Sequence, residues 1–94
     1  ESAGDPALIL EIARGWKQVG VMQYQTGSIH IGDGQGALKS YRRALELADD
    51  ALRLRPEDRE AKIITADIAS TLAQNLQVIG GAQPGETIAL TKRA

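Results

Sequence analysis

The chain has 94 residues, a formal net charge of −1, no cysteine, no Phe, one Trp and two Tyr. A chain this short forms one small domain and hides only about 60 to 65% of its unfolded surface, which excludes a thick core. The lack of cysteine excludes disulfides and thiolate metal sites, and the interspersed charges exclude a basic face for nucleic acid or acidic lipid.

No apolar run reaches the roughly 18 to 20 residues that span a bilayer, so no direct membrane insertion is expected. Cytoplasm and periplasm both stay open. The start at Glu1 without an initiator Met is read as a trimmed N-terminus. With almost no aromatic residues, packing rests on Ala, Leu, Ile and Val, which favours closely approaching helices over a β-sandwich.

Asp5-Pro6 opens the first predicted helix, because Asp caps free amide groups and Pro tolerates the first helical position. Leu8, Ile12, Trp16 and Val19 follow at spacings of four, four and three, one apolar stripe that is expected to face the core. Gly15 and Gly20 interrupt the helix, each at a cost of up to ~1 kcal/mol relative to Ala. Both predict a neighbouring helix too close for a side chain. From Gly27 to Gly36 the glycines crowd, and regular structure is expected to break.

The second predicted helix carries Leu38, Tyr41, Leu45, Ala48 and Leu52 at spacings of three and four, broadened by Ala37, Ala44 and Ala51. Asp49 and Arg53 stand in the favourable acid-first i,i+4 order, and Pro56 stops the helix. Glu57, Asp58 and Glu60 then place negative charge where a third helix begins. Its stripe is Ile64, Ile68, Leu72, Leu76 and Ile79, and Gly80-Gly81 with Pro84-Gly85 ends it. "ETIALTKRA" reads as a fourth helix that stops short.

Two internal echoes indicate a repeat. Ile12, Ala13 and Trp16 match Ile68, Ala69 and Leu72 at a constant offset, and "YRRA" from Tyr41 is echoed by "TKRA" from Thr91. The fold class expected is all-α: antiparallel helical hairpins, about three full helices plus a truncated fourth. All of 1–94 forms a single domain, with one unit at about 6–56 and a second, truncated, at 57–94.

Trp16, Val19 and Gly20, then Ala37, Tyr41 and Ala44 at four-then-three spacing after a Gly32-Asp33 turn, and a closing Pro56 together resemble the tetratricopeptide repeat (TPR) family. The segment between Gly20 and Ala37 is longer than the family standard by about a turn or more, and Pro56 arrives about two turns late. That variant looks like repeats found beyond the catalytic domain of some bacterial serine/threonine protein kinases. In the second unit Asn75 and Leu76 stand where Val19 and Gly20 stood, and Thr91 replaces the ring of Tyr41.

The stretch "GDGQGALKS" invites a phosphate-binding reading, but a P-loop needs its last Gly directly before Lys, and here Ala37 and Leu38 intervene. The dinucleotide fingerprint fails too, since its third Gly comes one position early and no strand precedes it. His30 is the sole histidine and lacks the further ligands of a metal site or the partners of an acid–base pair. Asp49-Asp50 and the Glu57 to Glu60 cluster lack calcium-loop spacing and read as solvated helix boundaries. No enzyme, cofactor or metal site is expected. Trp16 is read as core rather than as a ligand-stacking ring.

The resemblance implies a curved groove lined by the first helix of each unit, which binds a peptide or protein. Carried onto this sequence, its lining falls on Arg14, Lys17, Val21 and Tyr24, with Ser70, Gln74 and Gln77 in the second unit. Arg14 and Lys17 suit an acidic segment or a C-terminal carboxylate. A protein-interaction scaffold is therefore the expected function. The alternatives are a structural spacer or subunit of a larger assembly, or the non-catalytic repeat region of a bacterial kinase.

Overall fold

The computed structural model describes residues 5–27, 34–80 and 83–93. Among them run four helices and no strand: α1 Pro6–Gly27, α2 Gly34–Leu54, α3 Arg59–Ile79 and α4 Glu86–Arg93. The all-α expectation of three full helices and a short fourth is met. α1 packs most extensively on α2, α2 on α3, and α4 on α3, with a lighter contact between α1 and α3.

Local chemistry sets the helix ends. Asp5 Oδ1 accepts the Ala7 N–H at 3.0 Å, and Asp58 Oδ1 accepts the Glu60 N–H at 3.0 Å from an extended N-cap. Each bond satisfies an amide that a helix start leaves without a partner. At the other end of α3, Gly80 takes φ 86° and its N–H donates to the Leu76 carbonyl at 2.9 Å. With ψ at −174°, that positive φ is a backbone shape glycine adopts without the steric cost of a Cβ. α1 continues to Gly27, about a turn beyond the Met22 or Gln23 where its pattern fades.

α2 and α3 run antiparallel. Near one end of the pair the α2 carbonyl of Ala48 accepts the buried Thr65 hydroxyl at 3.4 Å; at the other, Gly34 lies against Ile79. Their predicted stripes form the core: Leu38, Tyr41, Leu45, Ala48, Ile68, Leu72 and Leu76 are buried in one cluster that Leu90 of α4 joins. Leu38, Ile68 and Leu72 are the largest wholly buried side chains, worth ~1.5–3 kcal/mol each in apolar surface removed from water. A second cluster of Leu10, Ala51 and Ala61 closes the end where α1 starts, α2 stops and α3 starts.

α1 departs from expectation. Its core face is Pro6, Leu10, Ala13 and Gly20, and the stripe of larger residues points away. Ile12 is 46% exposed, Trp16 39% and Val19 43%; Leu8 is half-buried. The reason is steric. Where Gly20 passes α2, a Cβ would stand 2.7 Å from Tyr41 Cε1 and 3.1 Å from the Ala37 carbonyl oxygen, so only the small-residue face can approach that closely. Trp16 is therefore not a core residue.

Two smaller expectations are also revised. Gly15 has open space around its Cβ direction, so no neighbour crowds it. Gly34 and Gly36 belong to the first turn of α2 rather than to a loop. Arg53 bonds Asp50, three residues before it. The Gly32-Asp33 turn, His30 and the side chain of Thr91 lie outside the described residues.

Candidate functional site

α1 and α3 run side by side and leave a cleft of about 750 Å³ between them. Arg14, Lys17 and Gln18 form its α1 wall, and Arg59, Glu60, Ile63, Ile64, Asp67 and Ile68 its α3 wall and floor. Spacings of three and four put Arg14, Lys17 and Gln18 on one flank of α1, and Glu60, Ile63, Ile64 and Asp67 on one flank of α3. The shared packing of both helices on α2 turns those flanks toward each other.

Across the cleft, Lys17 Nζ donates to Asp67 Oδ2 at 2.5 Å. The pair is only partly covered, and such exposed pairs are worth about 0–1 kcal/mol, so an incoming carboxylate can compete for the ammonium at small cost. Arg14 and Arg59 carry the other positive charges of the cleft, Glu60 and Asp67 the negative ones. Ile63 is exposed within it, an apolar contact beside fixed charges. That mixture suits an amphipathic polypeptide better than a small apolar ligand.

The sequence-derived lining is brought together in part. Arg14 and Lys17 stand in the cleft. Ser70, Gln74 and Gln77 are exposed on α3, where they continue the line of Ile63 and Asp67 toward the helix C-terminus. Val21 is not part of the cleft lining: one turn beyond Lys17 and Gln18 on the same flank, it is half-buried against the main core cluster. The side chain of Tyr24 lies outside the described residues. Ile63, Asp67 and Arg59 were missed by sequence reasoning, although the position of Ile63 on the polar side of a clear apolar stripe was a usable signal.

A second polar cluster ties α4 to α2. Arg42 donates from Nε to Glu86 Oε2 at 2.8 Å and from Nη2 to Glu86 Oε1 at 2.9 Å, a two-pronged pair with both side chains mostly covered. Glu86 Oε1 also accepts the Gln83 N–H at 2.9 Å. The guanidinium bonds hold the Glu86 carboxyl below its ordinary range against the opposing effect of burial, and the same bonds raise Arg42. This cluster fixes the start of α4 and has a structural role.

Among the described residues no three His, Asp or Glu side chains gather to hold a metal ion, and no helix is long and apolar enough to cross a membrane. Comparison of the chain with models of protein families, with characterised proteins and with solved structures finds no match.

Proposed function

We propose that the chain is a binding scaffold of tetratricopeptide-repeat type, and that the cleft between α1 and α3 receives an acidic, partly apolar segment of a protein partner. The observation that carries this reading is the cleft itself: Arg14, Lys17 and Arg59 around the exposed Ile63, on the first helices of two successive hairpins. Carboxylates of the partner would meet the guanidinium groups, and an apolar residue would cover Ile63. Charge-assisted bonds and apolar cover supply affinity together. The role is one of recognition, with no group in the cleft assigned to turnover.

The test uses a fluorescently labelled acidic peptide of about ten residues with Leu interspersed and a free C-terminus, chosen to match that chemistry. Binding is expected to weaken as salt is raised and to fall at least about tenfold in Arg14→Glu and in Arg59→Glu, which convert attraction into repulsion. Equal binding by the variants, or by a peptide with every Glu changed to Gln, rejects the cleft as the site.

A second reading is a structural subunit or spacer in a larger assembly. Ile12, Trp16, Val19 and Met22 of α1 and Ile88 of α4 favour it, because they are large apolar side chains left exposed at the two ends of the helix stack. A stoichiometric complex that survives purification supports this reading; a weak, exchangeable partner supports the cleft.

A further inference from the structure

The exposed stripe of α1 has a buried counterpart in the same chain. The constant offset that takes Ile12, Ala13 and Trp16 onto Ile68, Ala69 and Leu72 also takes Leu8 onto Ile64 and Val19 onto Asn75. In α3 the counterparts Ile64, Ile68 and Leu72 belong to the covered stripe of the core: Ile68 is 0% exposed and Leu72 1%, and Ile64 packs on the core. The face that is covered in α3 by the helix before it is therefore open in α1.

The far end of the stack shows the complementary vacancy. The echo of Tyr41–Ala44 by Thr91–Ala94 takes Leu38 of α2 onto Ile88 of α4. Leu38 is wholly buried, one turn beyond the Gly34 that lies against Ile79 of α3. Ile88 is 64% exposed. α4 thus offers the kind of face that α2 gives to α3, and α1 offers the kind of face that α3 presents to α2.

We infer that a second copy of this chain docks head to tail, the α4 end of one copy lying on the Leu8–Ile12–Trp16–Val19 stripe of the next, in the manner of α2 on α3. The contact continues an interface already built inside the chain, and its two sides are different surfaces, so it is heterologous and extends without closing. A net charge of −1 gives copies little mutual repulsion to overcome. The inference goes further than the spacer reading by naming the chain itself as the neighbour.

Analytical ultracentrifugation of the whole chain tests it, with the emission of Trp16, the sole tryptophan, as a local probe. Average mass is expected to rise with concentration beyond that of a dimer, while Trp16 emission shifts to the blue as its ring is covered. Ile12→Glu and Ile88→Glu change exposed positions and should retain wild-type helicity by circular dichroism. Each alone is expected to stay monomeric. Their equimolar mixture should form a one-to-one dimer and nothing larger, since one variant keeps a working α4 end and the other a working stripe. A wild-type chain that is monomeric at all concentrations overturns the inference. So does a dimer that Ile88→Glu leaves intact, which would place stripe on stripe. Monomeric protein that still co-purifies with a different subunit overturns the inference while leaving the spacer reading in place.

Discussion

Glycines that look alike in sequence separate cleanly at the level of single atoms. A Cβ on Gly20 would meet Tyr41 Cε1 at 2.7 Å and Cδ1 at 2.9 Å, and the ring is itself buried, so it has no room to retreat. Gly20→Ala is expected to destabilise by ~1–3 kcal/mol through overpacking, despite the better helix propensity of Ala. Gly15 meets nothing within 4 Å, and Gly15→Ala should stabilise by ~0.5–1 kcal/mol, the ordinary gain for a compatible helical site. Urea denaturation of the two variants measures both signs. A Gly20→Ala change that does not destabilise would show that the approach of α1 to α2 is not what the small residue at position 20 serves. The close approach also explains Ser40, whose buried hydroxyl donates to Gln23 Oε1 at 2.6 Å across the same seam.

Among the elements, those whose residues speak one language were legible before the fold was known. α2 and α3 have large apolar residues on one face and charge on the other, and Asp58, Pro56 and Gly80 mark their limits. α1 misled because it is apolar on two sides: the larger residues Ile12, Trp16 and Val19 draw the eye, while contact with α2 selects Ala13 and Gly20. Arg14 and Lys17, which do stand in the cleft, were named through the family resemblance, as positions beside its signature stripe. Their neighbours Asp67 and Arg59 were not, because a pairing between distant segments leaves no local spacing to read. The same holds for Arg42 and Glu86. Since the folded state depresses Glu86 below its ordinary value, its contribution is present above the unfolded carboxyl pKa of about 4.3 and is lost as pH falls through the lower folded value. Arg42 is raised, so its share persists until pH rises beyond the range in which the chain can be studied. Glu86→Gln is expected to cost ~1–2 kcal/mol from pH 6 to 8, as for a charge-assisted bond, with the difference from wild type shrinking below about pH 4.3. A difference that stays constant through the acid range would mean that the carboxylate charge is not what holds α4 to α2.

Across the whole molecule, stability is distributed as in a stack of hairpins, where each helix depends on the neighbours it touches. α3 lies in the middle, flanked by α2 and α4 and brushed by α1, and its stripe is buried; α1 is flanked on one side only. Positions that the sequence echo pairs should therefore differ sharply in what they contribute. Ile68→Ala removes a side chain with no exposed surface from the joint of α2 and α3, and is expected to cost ~2–5 kcal/mol from lost burial and the cavity left behind. Ile12→Ala removes the side chain that the sequence echo pairs with Ile68, from a surface about half open to water, and in dilute solution should cost under ~1 kcal/mol. For a chain of this size the first change lowers the melting temperature by roughly 10 °C or more, the second by only a few degrees. Raising the protein concentration should widen the deficit of Ile12→Ala, because a side chain that meets a second copy contributes only when that copy is bound. Equal losses at the two positions in dilute protein would place the α1 stripe inside the single-chain core, and the helix stack would then have no open first face.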